Sequence, residues 1–324
     1  MSVQRVAAVD CGTNSLRLLV ADVDTATGTL RDVERTMRVV RLGQGVDATG
    51  AFAPEALART FAAVDEAADA CRRHGVAPGA VRFVATSASR DVSNREEFAA
   101  GVRTRLGVDP EVVSGDEEAR LSFTGATGEL SGTGRAPFLV VDLGGGSTEF
   151  VLGEREPLAA LSVDVGSVRL TERHLRSDPP TAEEVAAARA DVLAALRDVE
   201  RAVPLARTRT LVGVAGTTTT ITAAALDLRA YEPGVLHGAR LPLAQVLAAC
   251  ERLIGAPRAE RAAMPFLHPG RVDVIAAGAL AWRTVLEHLA QVAGVTEVVT
   301  SEHDLLDGTA LSAAQRVVAG GSGV

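Results

Sequence analysis

Residues 138–149 read FLVVDLGGGSTE: an apolar run, an aspartate, three glycines, a Ser-Thr pair and a glutamate. Glycine weakens a strand, so the triplet must end the strand in a turn where backbone comes close to something. A lone glycine triplet also suits an ordinary tight hairpin. A second copy removes that ambiguity. Residues 6–20 read VAAVDCGTNSLRLLV, and laying Asp10 on Asp142 puts Gly12 on Gly144 and Ser15 on Ser147. Both stretches read strand, Asp-x-Gly turn, strand, with the polar residues confined to the turn. A third glycine-rich turn, with Gly213 and Gly216, interrupts LVGVAGTTTTITAAAL at 211–226 where a helical pattern begins. Successive backbone N–H groups in such turns form anion-binding concavities, and a helix start adds its positive end. Two matched turns and a third point to a phosphate site.

Composition narrows the alternatives. The chain has 324 residues, 47% hydrophobic and 23% charged, which suits a soluble protein of two domains. No apolar stretch is long enough to span a bilayer, and the N-terminus carries no cleavable signal pattern. Cys11, Cys71 and Cys250 are odd in number and widely spaced, giving neither a disulfide framework nor a CxxC site, and the expected location is the cytoplasm. A net charge of −8 argues against nucleic acid as a partner. All 33 basic residues are arginine, and a Walker A loop needs its lysine, so a P-loop NTPase is excluded. HExxH, Cys/His-cluster and GxSxG patterns are missing too.

Along the chain, strands are expected at 5–24 and 30–42, a helix at 54–74, a strand at 81–90 and a helix at 93–106. A short strand at 111–115 and a helix at 116–124 follow. GELSGTGRAP (128–137) is the most linker-like stretch. The pattern then restarts: a strand near 157–164, a helix at 181–202, a strand at 209–214, helices near 217–227, 242–254 and 271–291, and the strand EVVTS. Strands alternating with helices in two related halves predict an α/β fold, with domains at 1–132 and 133–304 and a final helix from 305 that crosses back to the first half.

These pieces resemble the Ppx/GppA phosphatase family (exopolyphosphatase and guanosine-pentaphosphate phosphohydrolase). The resemblance rests on AAVDCGTNSLRLLV, VATSASRDVSN, VVSGDEEARLSFTGA, VVDLGGGSTEFVLG, VGVAGTTTT and SEHDLLDGTAL, in order along nearly the whole chain. An EEAR helix followed about two dozen residues later by DxGGGSTE is the most specific pair. Cys11 departs from the larger apolar residue usual in the first loop. The chain is also shorter than long members with extra helical domains, like the compact two-domain exopolyphosphatases.

The resemblance implies two actin-like (ribonuclease H-like) domains of the actin, heat-shock ATPase and sugar-kinase superfamily, with the active site in the cleft between them. It implies attack of water on a terminal phosphoryl group with Mg2+ or Mn2+, leaving the need for K+ open. Glu118 matches the general base, with Asp142 and Glu149 in the catalytic group and Asp10 and Asp142 toward the metal. Gly12, Asn14, Ser15, Gly144, Gly145, Gly146, Ser147 and Thr148 would donate to phosphate, and Arg90 would clamp its oxygens. The expected partner is inorganic polyphosphate, with guanosine pentaphosphate as the alternative substrate, and the expected assembly is a homodimer. A kinase of the same superfamily would lack the EEAR glutamate, and a non-catalytic sensor would not need Glu118 and Asp142. Short polyphosphates are the expected preference. His237 and His268 are read as turn or packing residues, Trp282 as core or interface, and Asp304 or Asp307 as helix caps.

Overall fold

The computed structural model describes residues 3–86, 89, 92–128, 130 and 134–321. The chain divides into two compact units, Met1–Gly128 with Leu305–Val324, and Glu129–Asp304. The boundary thus falls at 128/129 instead of the expected 132/133.

The first unit opens with a meander of β1 (Val3–Cys11), β2 (Ser15–Asp24) and β3 (Leu30–Val39), each antiparallel to its neighbour. Helices α1 (Val46–Thr49) and α2 (Pro54–Arg73) lead to β4 (Val81–Ala85), which runs parallel to β1. Then come α3 (Arg95–Leu106), β5 (Glu111–Val112) and α4 (Gly115–Thr127), giving the sheet order β3-β2-β1-β4-β5. Pro54 at the first position of α2 supplies the fixed φ that a helix start favours and has no N–H to leave idle.

The second unit repeats this plan. β6 (Phe138–Leu143), β7 (Thr148–Gly153) and β8 (Pro157–Val163) form the meander. Helices α5 (Ser167–His174) and α6 (Ala182–Ala202) precede β9 (Thr210–Val214), parallel to β6. A capping box between Thr181 and Glu184 starts α6. The unit continues through α7 (Ala215–Ala225), α8 (Pro233–Leu236), β10 (Arg240–Pro242), α9 (Leu243–Gly255), α10 (Arg258–Ala262), α11 (Ile275–Ala293) and β11 (Glu297–Thr300). Its order is β10-β11-β9-β6-β7-β8. Read from the other edge, β8-β7-β6-β9-β11 is the first sheet again, with β10 added outside. Both are α/β units built on the same strand order.

The last helix, α12 (Leu305–Gly321), belongs to the first unit and explains why β1 is a continuous apolar run. Ala7, Val9 and Cys11 face a core with Phe52, Leu57, Phe83 and Phe98. The alternate residues Val6 and Ala8 face Leu306, Ala310, Ala313 and Ala314 of α12. Each face of the sheet therefore has its own apolar layer. In the second unit Trp282 lies wholly in the core against Gly213, where a Cβ would stand 2.8 Å from the indole.

Candidate functional site

The two Asp-x-Gly turns close identically. The Gly12 N–H donates to the Ser15 carbonyl at 2.9 Å, and the Gly144 N–H to the Ser147 carbonyl at 3.0 Å. Both turns are also tied back through their carbonyls. In the first, the Thr13 carbonyl accepts from Gly43, and that of Asn14 from Val40 and Arg41. In the second, the N-terminus of α5 does this: Ser167 donates to Gly144 (3.0 Å), while Val168 and Arg169 donate to Gly145 (2.8 and 3.1 Å). A trans peptide points its C=O and N–H in opposite directions. Carbonyls held toward α5 therefore turn the Gly145 and Gly146 N–H groups away from it, as a rim of donors suited to an anion.

Gly166 makes this closure possible. A Cβ there would run into the Gly145 carbonyl and stand 2.6 Å from the Gly146 nitrogen. Its φ of −159° is open to any residue, so the constraint is space alone. Thr148, expected at phosphate, donates its hydroxyl to the Val165 carbonyl at 2.6 Å and so ties β7 to the segment before α5.

The side chains flanking the turns differ in sign. In the β1/β2 register Asp10 faces Arg17, and in the β6/β7 register Asp142 faces Glu149. Arg17 donates Nε and Nη2 to one Asp10 oxygen at 2.9 and 2.6 Å. Asp142 and Glu149 are two buried acids on one face of the hairpin, and the Ser162 hydroxyl donates to Glu149 at 2.6 Å. Like charges directly opposite repel. A hard cation relieves that repulsion, so the pair fits a divalent ion that keeps waters and takes its other ligands from substrate. Among the described residues no group of three or more His, Cys, Asp or Glu side chains could hold a metal by itself. Burial, then the Asp10 charge, pushes the Cys11 thiol up, so it stays protonated as a packing residue.

Glu118 lies in the first turn of α4 and is 6% exposed. Ser114 caps that helix: its hydroxyl accepts from Glu117 N–H and its carbonyl from Glu118 N–H. Asp116, Glu117 and Glu118 all complement the positive end of the helix. Asp10, Gly12, Asn14 and Ser15 thus gather on the β1–β2 hairpin, Asp142, Gly144–Ser147 and Glu149 on β6–β7, and Glu118 on a helix of the first unit. Arg90 lies outside the described residues.

The third turn begins at Ala215, a non-glycine residue with φ of 68°. The hydroxyls of Thr218 and Thr220 donate back to Val214 (2.5 Å) and Gly216 (2.6 Å), so these threonines serve their own helix. Tyr231 bridges Thr219 at 2.7 Å and Glu302 at 2.6 Å, and burial followed by the Glu302 charge holds its hydroxyl protonated. His237 stacks on His303 at 4.4 Å, and His268 accepts from Gly270 N–H at 3.1 Å. Asp307, expected as a cap, is paired with Arg35 of β3 at 2.5 Å.

Three features escape a reading of the sequence: Arg17, Gly166 and the helix α5. The only local signal for α5 is the short VGSVRL, a glycine and serine before alternating apolar residues.

Comparison with known proteins shows the family. Residues 19–313 match the Ppx/GppA phosphatase family. The chain is 53% identical over 321 residues to Exopolyphosphatase 2 of Mycobacterium tuberculosis, covering 97% of this chain and 100% of that one. The crystal structure of an exopolyphosphatase-like protein matches with a TM-score of 0.93 and 44% identity, covering 97% and 98% of the two chains. An exopolyphosphatase from Cytophaga hutchinsonii matches with a TM-score of 0.82 and 25% identity, over 95% and 98%.

Proposed function

The chain belongs to the Ppx/GppA phosphatase family, and from that premise we propose that it is an exopolyphosphatase, converting polyphosphate of n units and water to polyphosphate of n−1 units and orthophosphate. The match to a mycobacterial exopolyphosphatase carries this reading, because it spans 97% of this chain and the whole length of that relative. The rim of N–H groups on the second turn supports it from the side of chemistry.

In this reading Glu118 takes the proton of the attacking water, a role worth ~10²–10⁴-fold. The phosphoryl group needs little covalent help; orientation and neutralised oxygens do the rest. The N–H groups of Gly145 and Gly146 bind the oxygens of the terminal phosphate, and Gly12, Asn14 and Ser15 offer a second set of donors. Arg90 adds a guanidinium clamp. Asp142 and Glu149 would hold Mg2+ or Mn2+, which when bound would supply positive charge for the phosphate oxygens. Asp10, expected toward the metal, also pairs with Arg17 through one oxygen and thereby shapes the first turn.

The protein acts as a cytoplasmic homodimer; among the described residues no helix is long and apolar enough to cross a membrane. A net charge of −8 gives the distal polymer no general attraction, which favours short chains and release between cleavages. Phosphate release from polyphosphate, guanosine pentaphosphate and ATP, measured side by side with Mg2+, tests the substrate. Polyphosphate should be the fastest. A faster reaction with guanosine pentaphosphate would favour the nucleotide phosphohydrolase, and phosphoryl transfer from ATP the kinase.

A further inference from the structure

Arg82 of β4 is only 2% exposed, yet its whole guanidinium is engaged. Nη2 donates to Glu117 at 2.6 Å and to Glu111 at 3.0 Å, and Nη1 donates to Ser312 at 2.8 Å. The arginine therefore fastens α4, β5 and α12 to β4 at one point. Arg316 of α12 donates to the same Glu111, at 3.0 Å through Nη2. A buried ion pair is poor evidence of stability, since well-packed apolar residues often serve as well. What it fixes is direction: the Arg82 fork sets where Glu117 lies.

One turn further along α4 there is a second fixed point. Gly308 of α12 lies directly on the Leu121 backbone, where an added Cβ would overlap the carbonyl oxygen and stand 2.7 Å from the carbonyl carbon. Glu118 stands between these points: its neighbour Glu117 is held by Arg82, and Leu121 is held by close contact with α12. A helix held at 117 and 121 can neither slide nor turn about its axis. The direction in which residue 118 leaves it is thereby set.

We propose that Arg82 and Glu117 are positioning residues for Glu118, with α12 as the strut that completes the clamp. This rests on the reading of Glu118 as the general base. A misplacement of about 1 Å in such a group costs up to ~10²-fold in rate.

The test compares Glu117→Ala, Glu117→Gln, Arg82→Met and Glu118→Gln for kcat, KM and melting temperature on a short polyphosphate. Glu117 is a third exposed, so its variants fold even if Arg82→Met does not. Glu117→Ala should lower kcat by ~10- to 100-fold with KM within twofold and the melting temperature nearly unchanged. Glu117→Gln, which keeps an oxygen for Arg82, should recover most of the loss. If Glu117→Ala turns over normally while Glu118→Gln is inactive, the clamp is wrong and the base stands. If kcat, KM and melting temperature of Glu117→Ala all deteriorate together, the pair is merely structural and the proposal fails. If Glu118→Gln itself turns over normally, the base reading fails and the clamp with it.

Discussion

Arg17 and Glu149 occupy the same place in the two sheets, and their charges are opposite. Each is the cross-strand partner of the aspartate that ends the first strand of its hairpin: Asp10 for Arg17, Asp142 for Glu149. One duplicated turn therefore pairs its aspartate with a cation of its own, and the other sets two acids opposite each other. The two units share a topology but divide the electrostatic work.

Removing Arg17 should leave the buried Asp10 carboxylate without its guanidinium. Breaking a buried pair from one side costs about 3–5 kcal/mol, and a side chain that is a fifth exposed brings this to about 2–3 kcal/mol for Arg17→Met. The double variant Asp10→Asn/Arg17→Met should recover much of it. Urea unfolding of the four proteins gives the coupling; strict additivity would show that the pair does not interact.

Asp142 and Glu149 are buried cross-strand partners, and two ionised acids so placed repel unless a cation lies between them. Glu149→Gln should therefore melt higher than wild type in chelator. Wild type should gain stability on adding Mg2+, about 2.7 kcal/mol at a hundredfold excess over Kd, and the variant should gain little. Equal Mg2+-induced shifts would take Glu149 out of the ion's coordination.

Gly166→Ala sets a methyl group against the backbone of Gly145 and Gly146. The turn must move, and the N–H rim with it. The expected loss in kcat/KM is ~100-fold, consistent with a displacement on the order of 1 Å, while the circular dichroism spectrum stays that of wild type. Full activity would mean the rim does not hold the substrate.

Acid should loosen the first unit through Glu111. Burial would raise its pKa, but hydrogen bonds from Arg316 and Arg82 hold it below the ordinary 4.5. A carboxyl group with a depressed folded pKa contributes stability above its unfolded value, and loses it as pH falls through the folded one. The melting temperature should thus fall below pH 4.5, and Glu111→Gln should flatten that fall while lowering stability at pH 7. An identical acid limb in the variant would assign the effect to other carboxylates, such as Asp22 under Arg5 and Arg31.

Much of this was legible in the chain because it is written locally. An apolar run, an aspartate and spaced glycines declare each hairpin, and repetition of the pattern declares the second unit. The Thr181/Glu184 box marks α6 within four residues. What stayed hidden depends on register and distance. The partnership of Arg17 with Asp10 exists only once β1 and β2 pair. Helix α5 is eight residues long with no side-chain cap, so only the short VGSVRL announces it. Arg82 meets Ser312 across 230 positions, and Gly308 is an ordinary helical glycine until Leu121 lies against it. In the third turn the hydroxyls of Thr218 and Thr220 satisfy the preceding turn of their own helix, a partnership that exists only once the helix has formed.

Hydrolysis of the polyphosphate end by water that Glu118 deprotonates would leave an oxygen-isotope signature in the product. Running the reaction in 18O-labelled water and analysing the orthophosphate by mass spectrometry tests it most directly. Wild type should release orthophosphate carrying one 18O atom per cleavage, with Glu118→Gln slower by at least ~100-fold. Unlabelled orthophosphate, or labelled product from Glu118→Gln at the wild-type rate, would contradict it.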